Sequence, residues 1–273
     1  MSLLKIIPIV VVVLSVLIYF GLPRALQALG LHGHYEIPPY RIEGKRALII
    51  TTSQSTLGEG GKATGVFGSE MTVPYYAFSD AGIEVDIASI KGGTIPVEPR
   101  SMGWPLGTPS DFRFKKDPTA MAKMTNSIPL TDVDIALYDA IFLAGGWGAA
   151  YDFAQSEALA ALVTAANADG DVIGSVCHGA LGLVHARDTD GSPLIEGRRV
   201  TGVTDIQIDQ LGISATPKHP ETELRAANAD FEAKSAFRDI FATHVVVDGR
   251  LVTGQNQNSG AETSHRMLEL LSN

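Results

Sequence analysis

Cys177, the only cysteine in the chain, ends an apolar, largely β-branched run and is followed at once by His178 and Gly179. The order Asp171-Val-Ile-Gly-Ser-Val-Cys177-His178-Gly179-Ala180, continuing into a helix-forming stretch, reads as strand, tight turn and helix. That is the layout of a nucleophile elbow, in which a sharp turn lifts the nucleophile clear of the sheet. A thiol placed there can add to a carbonyl carbon, and an adjacent imidazole can carry its proton near neutral pH. A helix starting just behind the sulfur would bring its positive end to bear and lower the thiol pKa. A lone cysteine without this setting would read as a small buried hydrophobe.

The elements that must hold this group alternate in type from Lys45 onward. Strands are expected over residues 46–51, 83–89 and 138–144, then in the run that ends at Cys177. A hairpin over 245–253 should turn at Asp248-Gly249. Helices are expected from a Ser69 cap to Gly82, with Pro74 in the opening turn, over 155–168, and over 260–271. The Gly/Pro-rich stretch 92–109 and the polar segment after it, to about Asn126, suit a lid or small cap. Alternation of this kind predicts one α/β domain, a mostly parallel sheet sandwiched between helices in the flavodoxin-like manner. Sites in such sheets lie at the carboxyl ends of the strands. Cys177 and the loop Gly145-Gly146-Trp147-Gly148, where backbone must approach something closely, both fall there.

Composition narrows the chemistry. A net charge of −9 with no Lys/Arg cluster argues against a nucleic-acid partner. One cysteine excludes an intrachain disulfide and a multi-cysteine zinc site, and no metal or other cofactor is expected. His32 and His34 fall in a Gly/Pro-punctuated linker over 30–44 and read as solvated side chains. Residues 1–29 are a separate unit. From 3 to 22 the polar side chains are Lys5, Ser15 and Tyr19 alone, and the stretch just reaches the roughly 20 residues needed to span a bilayer. A single-pass N-terminal membrane anchor is expected, followed by the linker and a domain over 45–273. A cleaved signal peptide, with Ala28-Leu-Gly30 as a small-residue site, is the rival. The flanking charges lean toward an N-terminus inside and a domain outside.

Taken together these segments resemble the ThiJ/PfpI superfamily, whose fold is that of class I glutamine amidotransferases, and within it the glyoxalase III-like chaperone and deglycase branch. The resemblance is carried by Thr64-Gly-Val-Phe-Gly-Ser-Glu70, Pro74-Tyr-Tyr-Ala-Phe-Ser-Asp-Ala-Gly82, Ala88-Ser-Ile-Lys-Gly-Gly93 and Tyr138-Asp-Ala-Ile-Phe-Leu-Ala-Gly-Gly146. Val176-Cys-His-Gly179, Pro193-Leu-Ile-Glu-Gly197, Val200-Thr-Gly-Val-Thr204 and Asp248-Gly-Arg-Leu-Val-Thr-Gly-Gln-Asn256 continue it in the same order. It implies Cys177 as nucleophile, a protonated Glu70 beside it, and His178 as proton carrier. Backbone N–H groups around Gly146 and His178 would line an oxyanion pocket, with Gly145, Trp147 and Gly179 around it. It also implies a homodimer.

Four positions depart from the family pattern. Trp147 stands where a His is usual, and Ala180 where a Pro is usual. Gln257 also takes the place of a common Pro. Ile208 occupies the place of the acid that orients the His, flanked by Asp205 and Asp209, either of which could substitute.

Three functions follow. The resemblance implies a glutathione-independent glyoxalase or deglycase, a lyase of the D-lactate dehydratase type, acting on small 2-oxoaldehydes or glycated substrates through a Cys177 hemithioacetal. His219-Pro220-Glu221 would instead suit an amidase or amidotransferase-like hydrolase, although the run reads equally as a loop entering a helix. A membrane-tethered holdase or oxidation sensor would use a readily oxidised thiol with little catalysis.

Overall fold

The structure, a computed structural model, describes residues 3–28, 35–213, 216–235 and 242–273. His32, His34 and the small-residue site at Ala28-Leu-Gly30 lie wholly or partly outside the described residues. The strands are β1 (Arg46–Thr51), β2 (Glu84–Ser89), β3 (Ile128–Pro129), β4 (Ala140–Leu143), β5 (Val172–Val176), β6 (Arg199–Val200), β7 (Asp230–Phe231), β8 (Val245–Asp248) and β9 (Leu251–Gly254). The helices are α1 (Leu3–Ala28), α2 (Gly68–Asp80), α3 (Pro109–Phe114), α4 (Pro118–Thr125), α5 (Ala149–Asp152), α6 (Glu157–Asp169), α7 (Asp205–Leu211), α8 (Pro220–Ala226) and α9 (Gly260–Ser272).

The main sheet runs β3-β2-β1-β4-β5-β9-β8, with every pair parallel except β8 with β9. Parallel strands need crossovers, and the crossovers cover both faces, so the central strands are apolar throughout. In β1, Ala47 and Ile49 enter the core under α2 and α9, while Leu48 and Ile50 enter the opposite core with Leu159 and Val163 of α6. All four are fully buried, and each large one contributes roughly 1.5–3 kcal/mol. Chain order reverses between β1 and β4, which makes their carboxyl ends the switch point where open α/β sheets place ligands.

Several local expectations are corrected. The cap of α2 is Phe67, not Ser69, and it makes no side-chain cap hydrogen bond; Ser101 Oγ instead accepts from the Gly68 amide at 2.9 Å. Pro74 lies beyond the opening turn, so the carbonyl four residues back, that of Glu70, loses its usual helical donor. The run from Cys177 to Leu183 is a 3-10 helix and not an α-helix. The hairpin turns at Gly249-Arg250, one residue later than expected.

The segment between β2 and β4 fastens to α2 and β2. Asp111 accepts from Thr72 Oγ1 at 2.7 Å, and Lys123 Nζ donates to Asp86 at 2.7 Å. Residues 35–44, read as linker, lack helix and strand but are docked on the domain. The Tyr35 and Tyr40 hydroxyls bracket the His265 ring at 2.6 and 2.9 Å, and the Ile42 amide donates to the Ala81 carbonyl at 2.7 Å. Within α1, Ile7–Leu26 is long and apolar enough to cross a membrane, with mean hydropathy 2.3. Its side chains from Ile7 to Phe20 are exposed.

Candidate active site

Three adjacent carboxyl-end loops assemble the site. After β1 the chain enters α2, whose first turn carries Glu70; after β4 comes Gly145-Gly146-Trp147; after β5 comes Cys177. Cys177 has φ +58, a left-handed conformation that side chains rarely adopt. Strain of this kind survives only where packing over-determines it, and such positions cluster at functional sites. The turn aims Sγ back toward the switch point, 3.5 Å from His178 Nδ1. The amide N–H groups of His178 and Gly146 also face the sulfur.

Burial governs the electrostatics. Glu70 is 1% exposed, and desolvation raises its carboxyl from 4.5 to about 8, against the opposing pull of the Cys177 thiol and the Gly145 amide. The carboxyl is therefore protonated at neutral pH. Burial also pushes the Cys177 thiol well up; the charge Glu70 would carry if ionised adds to this, and the two amides oppose it. The expected low-pKa thiol is thus corrected: Cys177 is only 8% exposed, and desolvation outweighs the backbone dipoles. His178 is neutral, its pKa lowered to about 3 by burial and then by nearby His219.

Among the described residues, two buried polar atoms flank the thiol without hydrogen-bond partners, Glu70 Oε2 and His178 Nε2. Unsatisfied groups of this kind cost about 1–3 kcal/mol each, which a ligand can recover.

Trp147 packs its ring 4.9 Å from the His178 ring at 59° and forms a wall of the site. Ile208, at the expected third-acid position, is fully buried. Asp209 is exposed. Asp205 turns instead to His219, with Oδ1 3.6 Å from Nδ1, and accepts from Thr222 Oγ1 at 2.8 Å. His219 caps α8 with Pro220 behind it, and its charge would reach His178, a long-range link that a plain helix entry does not suggest. Glu221 does not complete a cysteine–histidine–glutamate line: its carboxylate binds Arg225 at 2.9 Å and accepts the Asp205 amide at 3.1 Å. No group of three or more His, Cys, Asp or Glu side chains that could hold a metal ion occurs among the described residues.

The two shifted groups predict a measurable stability profile. Folded Glu70 keeps its proton between pH 4.5 and about 8 while the unfolded chain has lost it, so stability falls as pH rises through that window. Folded His178 stays neutral between 6.5 and about 3 while the unfolded chain takes a proton, so stability falls as pH drops through that window. Asp152 and Asp171, raised to about 6, act in the same direction as Glu70 but are largely ionised by pH 7. The loss above pH 7 is therefore assigned to Glu70. Urea unfolding midpoints should fall from pH 7 to 8 in the parent and stay nearly level in Glu70→Gln; an equal fall in both would refute the assignment.

A mostly parallel sheet flanked by helices, with a left-handed cysteine at an elbow, a protonated glutamate and an adjacent histidine, defines an α/β protein with a cysteine-centred site. The chain belongs to the DJ-1/PfpI family, whose model matches residues 62–270. Glyoxalase 3 of Candida albicans is 28% identical over 236 residues, covering 82% of this chain and 97% of that protein. A probable glutathione-independent glyoxalase of Saccharomyces cerevisiae is 30% identical over 242 residues, covering 83% and 98%. Among solved structures, the Rapid Encystment Protein 24 KDa of Francisella tularensis superposes with TM-score 0.78 at 33% identity, over 84% of this chain and 100% of that one. The glyoxalase III of Candida albicans superposes with TM-score 0.75 at 26% identity, over 82% and 96%.

Proposed function

We propose that this protein is a glutathione-independent glyoxalase that converts small 2-oxoaldehydes to 2-hydroxy acids through Cys177. The observation that carries the reading is the convergence on Sγ of the His178 imidazole, the protonated Glu70 and the two amides of Gly146 and His178. Relatives named as glyoxalase 3 and as glutathione-independent glyoxalases support it.

In the reaction proposed for methylglyoxal, Sγ bonds to the aldehyde carbon as the C=O π bond opens. The thiol proton passes through His178 to the new oxyanion, which the two amides stabilise. A neutral Glu70 matters here, because a carboxylate would oppose negative charge on the sulfur. The hemithioacetal then loses its C1 proton to His178, giving an enediolate; His178 returns a proton to C2 while the C1 hydroxyl proton passes to the C2 oxygen, leaving a 2-hydroxyacyl thioester. Water cleaves that thioester, so the net reaction adds one water to methylglyoxal and returns the thiol. Trp147 packs against the His178 ring and limits its movement. Early glycation adducts would enter by the same hemithioacetal chemistry. The apolar α1 supports a membrane-tethered form of this enzyme.

The test is incubation of the full chain with methylglyoxal in glutathione-free buffer, following substrate loss and lactate. Stoichiometric lactate is the expected result; substrate loss by protein modification without lactate would overturn the reading.

A further inference from the structure

We propose that the apolar loop around Trp104 is a membrane-contact surface that seats the domain against the headgroups of the bilayer entered by α1. The inference rests on α1 acting as a membrane span.

Trp104, Leu106 and Phe112 are 44%, 43% and 39% exposed, an apolar cluster on one surface loop and the short helix after it. Grouped exposed apolar side chains of this kind mark interaction surfaces. Their position relative to α1 selects the partner. The Trp104 ring stacks on Tyr19 with centroids 5.9 Å apart and planes 12° apart, and its Nε1–H donates to the Tyr19 carbonyl at 3.3 Å. Tyr19 lies in the last turns of the apolar stretch, five residues before Arg24, which is about 7.5 Å along a helix. A group stacked on Tyr19 therefore sits within a turn or two of the span's polar end. This is the level where Trp and Tyr form the interfacial aromatic belt.

Charge supports the same partner. The chain is acidic overall, yet residues 100–116 carry Arg100, Arg113, Lys115 and Lys116 against one carboxylate, Asp111. Asp111 is buried and engaged by Thr72 and Thr108, so it presents no charge outward. Arg113 is paired with Asp80, and Lys115 lies over the Phe112 ring, while Arg100 and Lys116 are exposed. Apolar side chains rimmed by cations beside a span fit an anionic lipid surface.

The test uses the full chain reconstituted in vesicles of phosphatidylcholine and phosphatidylglycerol. Subtracting the emission of Trp104→Phe from that of the parent isolates Trp104 from the second tryptophan, Trp147. Lipids brominated near the headgroup should remove most of the Trp104 emission, and iodide should lose access to it. If alkaline carbonate leaves the protein in the vesicles but Trp104 stays open to iodide and insensitive to bromine, the surface is refuted with the anchor intact. Release by carbonate would refute both. Protection from iodide that grows with protein concentration and ignores brominated lipid would assign the patch to a second copy and refute the membrane role.

Discussion

Cys177→Ala is expected to abolish lactate formation, with a fall in kcat/KM on the order of 10⁴-fold or more, the scale seen when a covalent nucleophile is removed. The loss should appear without unfolding, because alanine fills most of the same buried space and meets the same backbone. That backbone makes a second outcome separable from the first. At φ +58 any side chain carries a penalty of roughly 1–2 kcal/mol that glycine avoids. Cys177→Gly should therefore be more stable than Cys177→Ala by about 1 kcal/mol, a rise of roughly 2–4 °C in Tm for a domain of this size, while being equally inactive. Equal melting temperatures would show that the elbow is unstrained. Residual turnover in either variant would move the covalent step away from Cys177.

The elbow was legible in the sequence because a strand buried on both faces leaves a run free of charged side chains, and the run stops where the chemistry starts. The same physics made β1 and β4 readable, and Asp248-Gly249 announced the hairpin to within one residue. What could not be read depends on partners remote in the chain. The start of α2 is capped not by its own Ser69 but by Ser101, from the far side of β2. Residues 35–44 have the composition of a linker, and only the placement of His265 in α9, more than 220 positions away, turns Tyr35 and Tyr40 into a clasp.

The charge state of the site was hidden for the same reason. A cysteine at an elbow suggests a low pKa from local dipoles, yet Glu70 and the wall of the sheet close over it, and desolvation is the larger effect. The buried Ile208 also gave no hint of where the neighbouring acids turn. Asp205 lies on the same helix but pairs with His219, while His178 Nε2 is left without a protein partner among the described residues. The His178 imidazole packs against Trp147 and lies beside the thiol, so its surroundings are set by a ring and a sulfur and not by a carboxylate at position 208.

Gly179→Ala is expected to be strongly damaging although it adds only one methyl group. Gly179 lies where the chain leaves the elbow and passes against the end of β4. A Cβ there would sit 2.0 Å from the Leu143 carbonyl oxygen and 2.8 Å from its carbon. Both atoms are backbone in a central strand hydrogen-bonded on each side, so neither can swing away as a flexible side chain could. The conflict must be relieved by separating β4 from the elbow, which also moves the Gly146 and His178 amides off the oxyanion position. Overpacking of a core costs roughly 1–3 kcal/mol, and a rigid backbone contact belongs at the top of that range. About 3 kcal/mol corresponds to a drop of roughly 6–12 °C in Tm, with turnover lost even below the transition. Gly260→Ala is the matched control. It lies in the first turn of α9 with nothing within 4 Å of the added carbon, so alanine should leave Tm level or raise it slightly. If the two variants melt together, the close approach at Gly179 does not hold the elbow against β4, and the oxyanion geometry must be maintained from the Gly145-Gly146 side alone.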